Sequence, residues 1–192
     1  MKPSDTAASA QKINEILRAS VPVFAKRGYR RTSMANIADA AGVSRPALYQ
    51  YFTDRADLFA AAFSLLLNEN TDAALDALSA NVSLAHQLDG YLQRLTGDAY
   101  ATLASTDHGE ELMEARHQFA AEAAASAIKR ANNGLRKHLH THTRADRGTR
   151  TCALELLTLS LAGLKQDHPT PAAYRRRLTF LAETAARALT DK

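Results

Sequence analysis

Between Ser44 and Tyr51 the run SRPALYQY sets a hydroxyl, a guanidinium, two phenols and a carboxamide within eight residues. Arginine can grip a guanine edge and glutamine an adenine edge through two hydrogen bonds each, and hydroxyls, phenols and helix N-termini suit phosphate oxygens. This is the chemistry of reading a duplex. It does not make or break bonds. It needs a rigid helix that presents these side chains outward, and the flanking residues supply one.

Ile37 and Ala41 can share one face of a short helix over 33–41, and Gly42 supplies the left-handed residue that a sharp reversal requires. Ser44 can cap a second helix over 45–52, with Val43 and Leu48 placed as a hydrophobic staple. Pro46 falls in the first turn, where its missing N–H costs no intrahelical bond. Leu48 and Phe52, four apart, point inward, which leaves Arg45, Pro46, Tyr49 and Gln50 outward. The two helices describe a helix-turn-helix whose second helix offers its N-terminal side chains to the major groove.

Charge supports that placement. The chain carries a net +4, and residues 1–57 hold nine basic against five acidic side chains, so the whole excess lies in this first third. Lys26, Arg27, Arg30 and Arg31 fall within six residues, a phosphate-facing patch in this reading.

The rest of the chain reads as all-α. Glycine and proline total 13 of 192 residues, and no segment sustains a period-two alternation. The apolar period predicts a first helix over about 8–27, stopped by Gly28 and bent or restarted at Pro22. A longer helix follows over 54–77, capped by Thr53 or Asp54. Further helices are expected over 84–104, 108–142, 147–166 and 171–189, with Ser83, Asp107 and Asp146 as N-caps. The span 108–142 is too long for one ordinary helix and is expected to hold two. The segment DHPTP at 167–171 is a break.

The run FAKRGYRRTSMANIADAAGVSRPALYQYF, followed by DRADLF, resembles the tetracycline-repressor (TetR) family of bacterial transcriptional regulators, and the likeness covers about residues 10–62. The resemblance implies an all-helical homodimer of about nine helices per chain. It would have a three-helix DNA-binding head at 1–53 and a helical effector-binding and dimerisation body at 54–192. It implies a palindromic operator in double-stranded DNA and repression relieved by a small-molecule effector. Arg45, Pro46, Tyr49, Gln50 and Tyr51 then fall where the recognition helix meets DNA, with Ser44 as its cap. Thr32 and Ser33 open the preceding helix near a phosphate, and Arg55 stands where a lysine commonly contacts the DNA backbone. The fourth helix would carry the effector signal to the head.

In such a body, polar candidates for the effector pocket are Tyr91, Arg94, Tyr100, Glu114, Arg116 and His117. Candidates for the dimer face are Leu154, Leu157, Leu161 and Leu164, then Leu178, Leu181 and Ala185, with Ser160 and Gly163 allowing close approach. His138, His140 and His142 have helical spacing but no local acidic or cysteine partner, so no metal site is expected.

Catalysis finds no support: there is no glycine-rich phosphate loop and no nucleophile elbow, and the single Cys152 has no local context that suits a nucleophile. No cofactor is expected. No apolar run is long enough to span a bilayer, and no signal segment is evident, so a cytoplasmic, reducing location is expected. The competing readings are an architectural DNA-binding protein with little sequence preference, and a helical enzyme or carrier that kept the head.

Overall fold

The computed structural model describes residues 3–190, with side chains from residue 9 onward. Lys2, counted in the basic excess, lies outside the described residues. Helices account for every regular element among them: α1 (Pro3–Arg31), α2 (Met34–Ala41), α3 (Arg45–Tyr49), α4 (Arg55–Ala77), α5 (Leu84–Leu92), α6 (Asp98–Ala104), α7 (Gly109–Phe119), α8 (Ala121–His142), α9 (Arg147–Gly163) and α10 (Pro171–Thr190). A π-helical turn, Gln93–Gly97, joins α5 to α6 without a break, so 84–104 is one continuous helix and the described residues hold nine. None is long and apolar enough to cross a membrane.

Two compact units emerge. One comprises Met1–Leu67 with Ser105–Ala124, the other Asn68–Ala104 with Ala125–Lys192. A division after residue 53 follows the helix-turn-helix alone. By packing, the first unit keeps the first half of α4 and all of α7, because aromatic side chains from α1, α4 and α7 converge there. Phe24 meets Phe59 edge-on at 5.0 Å, and Tyr29 lies 5.2 Å from Phe59 and 5.1 Å from Phe119. Ile16, Ile37, Leu48 and Leu58 are fully buried beside them.

Local rules explain the junctions of this unit. α1 runs through exposed Pro22 without the expected interruption; the one non-helical residue inside it is Gly28, at φ 75° and ψ 167°. Ser33 caps α2 in a capping box, its hydroxyl accepting the Asn36 N–H while the Asn36 side chain accepts the Ser33 N–H. Gly42, left-handed at φ 63°, ends α2: its N–H bonds the Asp39 carbonyl and the Val43 N–H bonds that of Ala38. α3 stops three residues earlier than the sequence predicts. Phe52 must turn inward, and Thr53 and Asp54 then cap α4 together: Asp57 accepts from Thr53, and Asp54 accepts from the Asp57 N–H.

In the second unit, α10 packs along α5 and the π turn. Gly97 admits Leu178 at close range there, and Gln93 donates to the Arg175 carbonyl at 3.0 Å. Tyr91, Leu92, Leu135, Leu157, Tyr174 and Leu178 are fully buried. Ser83 and Asp146 cap α5 and α9 as expected, whereas α7 starts after His108 with no side-chain cap from Asp107. The split within 108–142 falls at Ala120. α9 ends at Gly163, and Arg177 ties the following break by bonding the Leu164 carbonyl and both oxygens of Asp167. Those bonds hold the Asp167 carboxyl down to about 2.

Candidate nucleic-acid interface

The Ser44 hydroxyl accepts the Ala47 N–H at 3.2 Å, and Pro46 sits in the first turn of α3, so this short helix is fixed at its start by its own residues. Leu48 is buried, and Arg45, Pro46, Tyr49 and Gln50 are exposed beside the exposed Ser44 and Ser33; Tyr51 is half-buried. Arg45 lies over the Tyr49 ring, its guanidinium carbon 5.6 Å from the ring centre and Nη2 3.5 Å from the hydroxyl. The two side chains sit one turn apart on the face that leads the helix, where a base edge and a phosphate can be reached together.

Two residues assigned to phosphate contact sit differently. Thr32 is buried, and its hydroxyl donates to the Gly28 carbonyl at 2.6 Å. Arg55 turns inward: Nη1 donates to the carbonyls of Arg30 at 3.0 Å and Thr32 at 2.9 Å, and the guanidinium stacks on the Tyr29 ring at 4.3 Å. An arginine at this position meets two backbone acceptors and an aromatic face, which together leave it half-buried against the protein.

The basic run is likewise partly committed to the protein. Lys26 and Arg27 are exposed, but the Arg30 side chain pairs with Glu114 at 2.9 Å and its backbone N–H donates to Glu111. Arg31 Nη2 lies 3.1 Å from His108 Nε2, and Thr106 donates to the Ala25 carbonyl at 2.6 Å. Sequence reasoning missed Thr106, His108 and Glu111 as companions of the head. They lie about 80 residues downstream, and the one local hint is Gly28, where any Cβ would run into the Glu111 carboxylate.

The six effector-pocket candidates divide between the units. Glu114, Arg116 and His117 belong to the first: Glu114 pairs with Arg30, half-buried Arg116 lies 6.0 Å above Phe63, and His117 is exposed. Burial lowers the Arg116 pKa. Tyr91, Arg94 and Tyr100 belong to the second, where exposed Arg94 pairs with Asp98 and Tyr100 donates to the Pro169 carbonyl at 2.7 Å. The Tyr91 hydroxyl is buried with no hydrogen-bond partner, and burial raises its pKa.

Four of the seven dimer-face candidates need correction. Leu157, Leu178, Leu181 and Ala185 are buried in the core of their own unit, and Leu154, Leu161 and Leu164 pack against it. The apolar surface left outward is a different stripe: Leu159 at 75% exposed, Phe180 at 71% and Leu156 at 43%. An open groove of about 530 Å³ runs here, its lining including Leu156, Leu164 and Phe180 together with Arg176 and Arg177.

Of the three histidines, His138 is buried, with Nε2 3.0 Å from Gln87 Oε1 and its ring stacked on His142 at 4.3 Å. Burial first, then the neighbouring His142, lowers the His138 pKa. The unfolded chain therefore takes up this proton more readily. The stability that His138 lends is complete above its unfolded pKa near ~6.5 and is lost as pH falls through the lower folded value. The thermal midpoint of the unaltered chain should fall more steeply from pH 7 to 5 than that of His138→Gln. Parallel curves would exclude this histidine as the cause.

Comparison with known proteins agrees with the head and the fold. Residues 16–62 match the family of bacterial regulatory proteins described as the tetR family. Over 51 residues the chain is 43% identical to the HTH-type transcriptional activator FasR of Mycolicibacterium smegmatis, which covers 27% of this chain and 23% of FasR. The chain thus matches about a quarter of that relative's length. A TetR-family regulator structure from Mesorhizobium loti superposes with a TM-score of 0.60 at 20% identity, covering 92% of this chain and 96% of the other. FadR from Bacillus subtilis, solved in complex with stearoyl-CoA, gives 0.53 at 18% identity, over 89% and 97%. The capped, glycine-turned helix pair at 34–49 thus lies inside a segment, residues 16–62, that matches the tetR family of bacterial regulatory proteins, and beyond it the chain shares the helical fold of solved regulators.

Proposed function

We propose that the chain is a sequence-specific DNA-binding transcriptional regulator, a homodimeric repressor released from a palindromic operator by a small molecule. The observation that carries this reading is α3, which is fixed at its start by Ser44 and Pro46, buried through Leu48, and leaves Arg45, Tyr49 and Gln50 outward. In this reading residues 1–53 form the DNA-binding head. Arg45 and Gln50 read base edges; Ser33, Ser44, Tyr49 and Tyr51 approach the backbone with Pro46 between them. Residues 54–192 supply effector binding and dimerisation.

The outward stripe of Leu156, Leu159 and Phe180 supports self-association, because two α9–α10 pairs can cover it with a four-helix bundle. The small-molecule arm is supported by the solved relative that holds stearoyl-CoA and by the unpartnered Tyr91 hydroxyl in an otherwise apolar core. An effector acts only through unequal affinity for the bound and released states.

Selection of genomic fragments retained by the purified chain at physiological salt tests the proposal. The expected product is an inverted repeat with half-sites about one helical turn apart, roughly 34–36 Å. A pool without sequence preference that disappears as salt rises would favour the architectural reading instead. On the recovered site, Arg45→Ala should cost about 1–3 kcal/mol against the preferred base at one position in each half-site and leave the other positions unchanged. A uniform loss across all sequences, read by competition binding, would move Arg45 from base to phosphate contact.

A further inference from the structure

The backbone of Arg30 is held from both sides by helices that lie far away in sequence. Its N–H donates to Glu111 on α7, and its C=O accepts from Arg55 on α4, which also bonds the Thr32 carbonyl two residues on. Tyr29 is wedged between the same two helices, against Phe59 on one and Phe119 on the other, with the Arg55 guanidinium over its ring. The residue before it, Gly28, adopts φ 75°, and any Cβ there would meet the Glu111 carboxylate. The residue after Thr32 is Ser33, the cap of α2. The five residues 28–32 therefore set where α2 begins, and α4 and α7 both grip them.

We propose that Arg55 and Glu111 are positioning residues of the DNA-binding head, a two-sided clamp on the Arg30 backbone that fixes the first turn of α2 and makes operator affinity depend on where α7 lies. The inference rests on the DNA-binding reading above. It departs from the phosphate role that family resemblance gives Arg55, because the Nη1 protons are spent on two carbonyls and the guanidinium face on Tyr29. A phosphate contact releases counterions and appears as salt dependence; a clamp changes affinity without changing how many phosphates are neutralised. The carboxylate of Glu111 acts as a backbone acceptor, so a carboxamide of the same shape can substitute for it.

The test measures binding of the selected inverted repeat against salt, on variants shown folded by their helicity and melting. It also follows the Arg30 amide by NMR in the full chain, with and without DNA. Arg55→Ala is expected to weaken binding about tenfold with an unaltered slope of log affinity on log salt. Glu111→Ala should weaken it comparably, and Glu111→Gln should restore most of the loss. The Arg30 amide resonance should shift in both alanine variants and on addition of DNA to the unaltered chain. A slope smaller by about 1 in Arg55→Ala would return this side chain to the phosphate backbone and overturn the clamp. Undiminished affinity in folded Glu111→Ala, or an Arg30 amide indifferent to both substitutions, would do the same. If the unaltered chain selects no inverted repeat, the DNA reading fails instead, and the amide shifts alone then decide whether the clamp exists.

Discussion

The Leu159→Asp/Phe180→Asp chain is expected to be monomeric at micromolar concentration, where the unaltered chain is expected to be a dimer, and to keep its helicity. Both side chains are more than two-thirds exposed in the single chain, so carboxylates there meet water and the core of their unit is untouched. In a two-fold bundle the same two positions recur on both copies, so closing the interface would bury four carboxylates; Arg177 is already engaged by Asp167, which leaves exposed Arg176 as the basic neighbour one turn from position 180. Removing even one unpaired charge from water costs several kcal/mol, and each 1.4 kcal/mol is a factor of ten in the association constant. The loss should therefore exceed about a thousandfold. Light scattering coupled to sizing reads the mass, and far-ultraviolet circular dichroism reads the fold. A monomer presents one head to one half-site, and losing the tethered second contact should lower operator affinity by about 10²–10⁴. A variant that stays dimeric would show that the α9–α10 stripe is not the association surface.

That prediction rests on a distinction the sequence does not make. α9 carries leucines at 154, 156, 157, 159 and 161, with Leu164 just past its end, and either of two helical stripes can be drawn through them. Periodicity identifies which residues share a face but not which face the rest of the chain covers. Leu157 proves to be fully buried, two positions from the mostly exposed Leu159, because α10 presses on the stripe containing 157. The same ambiguity moved Leu178, Leu181 and Ala185 from surface to core. In the head the local rules were sufficient. Gly42, Ser44 and Pro46 each satisfy a requirement set by residues within four positions, so their places, and the outward face of α3, followed from type and spacing alone.

Charges were legible in sign but not in direction. A cluster of lysine and arginine predicts positive potential, yet a guanidinium goes where acceptors are, and for Arg30, Arg31 and Arg55 those acceptors include side chains and carbonyls from 23 to 84 residues away. The π turn at 93–97 had no sequence mark either, since the extra residue is accommodated by packing of Gly97 and Gln93 against α10 and not by a local propensity.

Gly28→Ala should be the most damaging small substitution in the head, and comparison with Gly42→Ala isolates the reason. Both glycines have positive φ, but Gly42 sits in the ordinary left-handed region at ψ 33° with open space where a Cβ would go. Its replacement should cost about 1 kcal/mol. Gly28 combines φ 75° with ψ 167°, a region that side-chain-bearing residues scarcely enter, at a cost of about 1–3 kcal/mol before any contact is considered. Its Cβ would also collide with one oxygen of the Glu111 carboxylate, whose retreat would pull on the other oxygen and its bond from the Arg30 N–H. Loss of that bond would cost about a further 1 kcal/mol. Urea unfolding should thus rank Gly28→Ala clearly below Gly42→Ala, and Gly28→Ala alone should also shift the Arg30 amide resonance. Adding Glu111→Ala to Gly28→Ala removes the collision but not the backbone strain, so it should recover part of the stability and none of the amide shift. Equal costs at the two glycines would mean that the α1–α2 junction relaxes around an added methyl, and that Glu111 does not hold it.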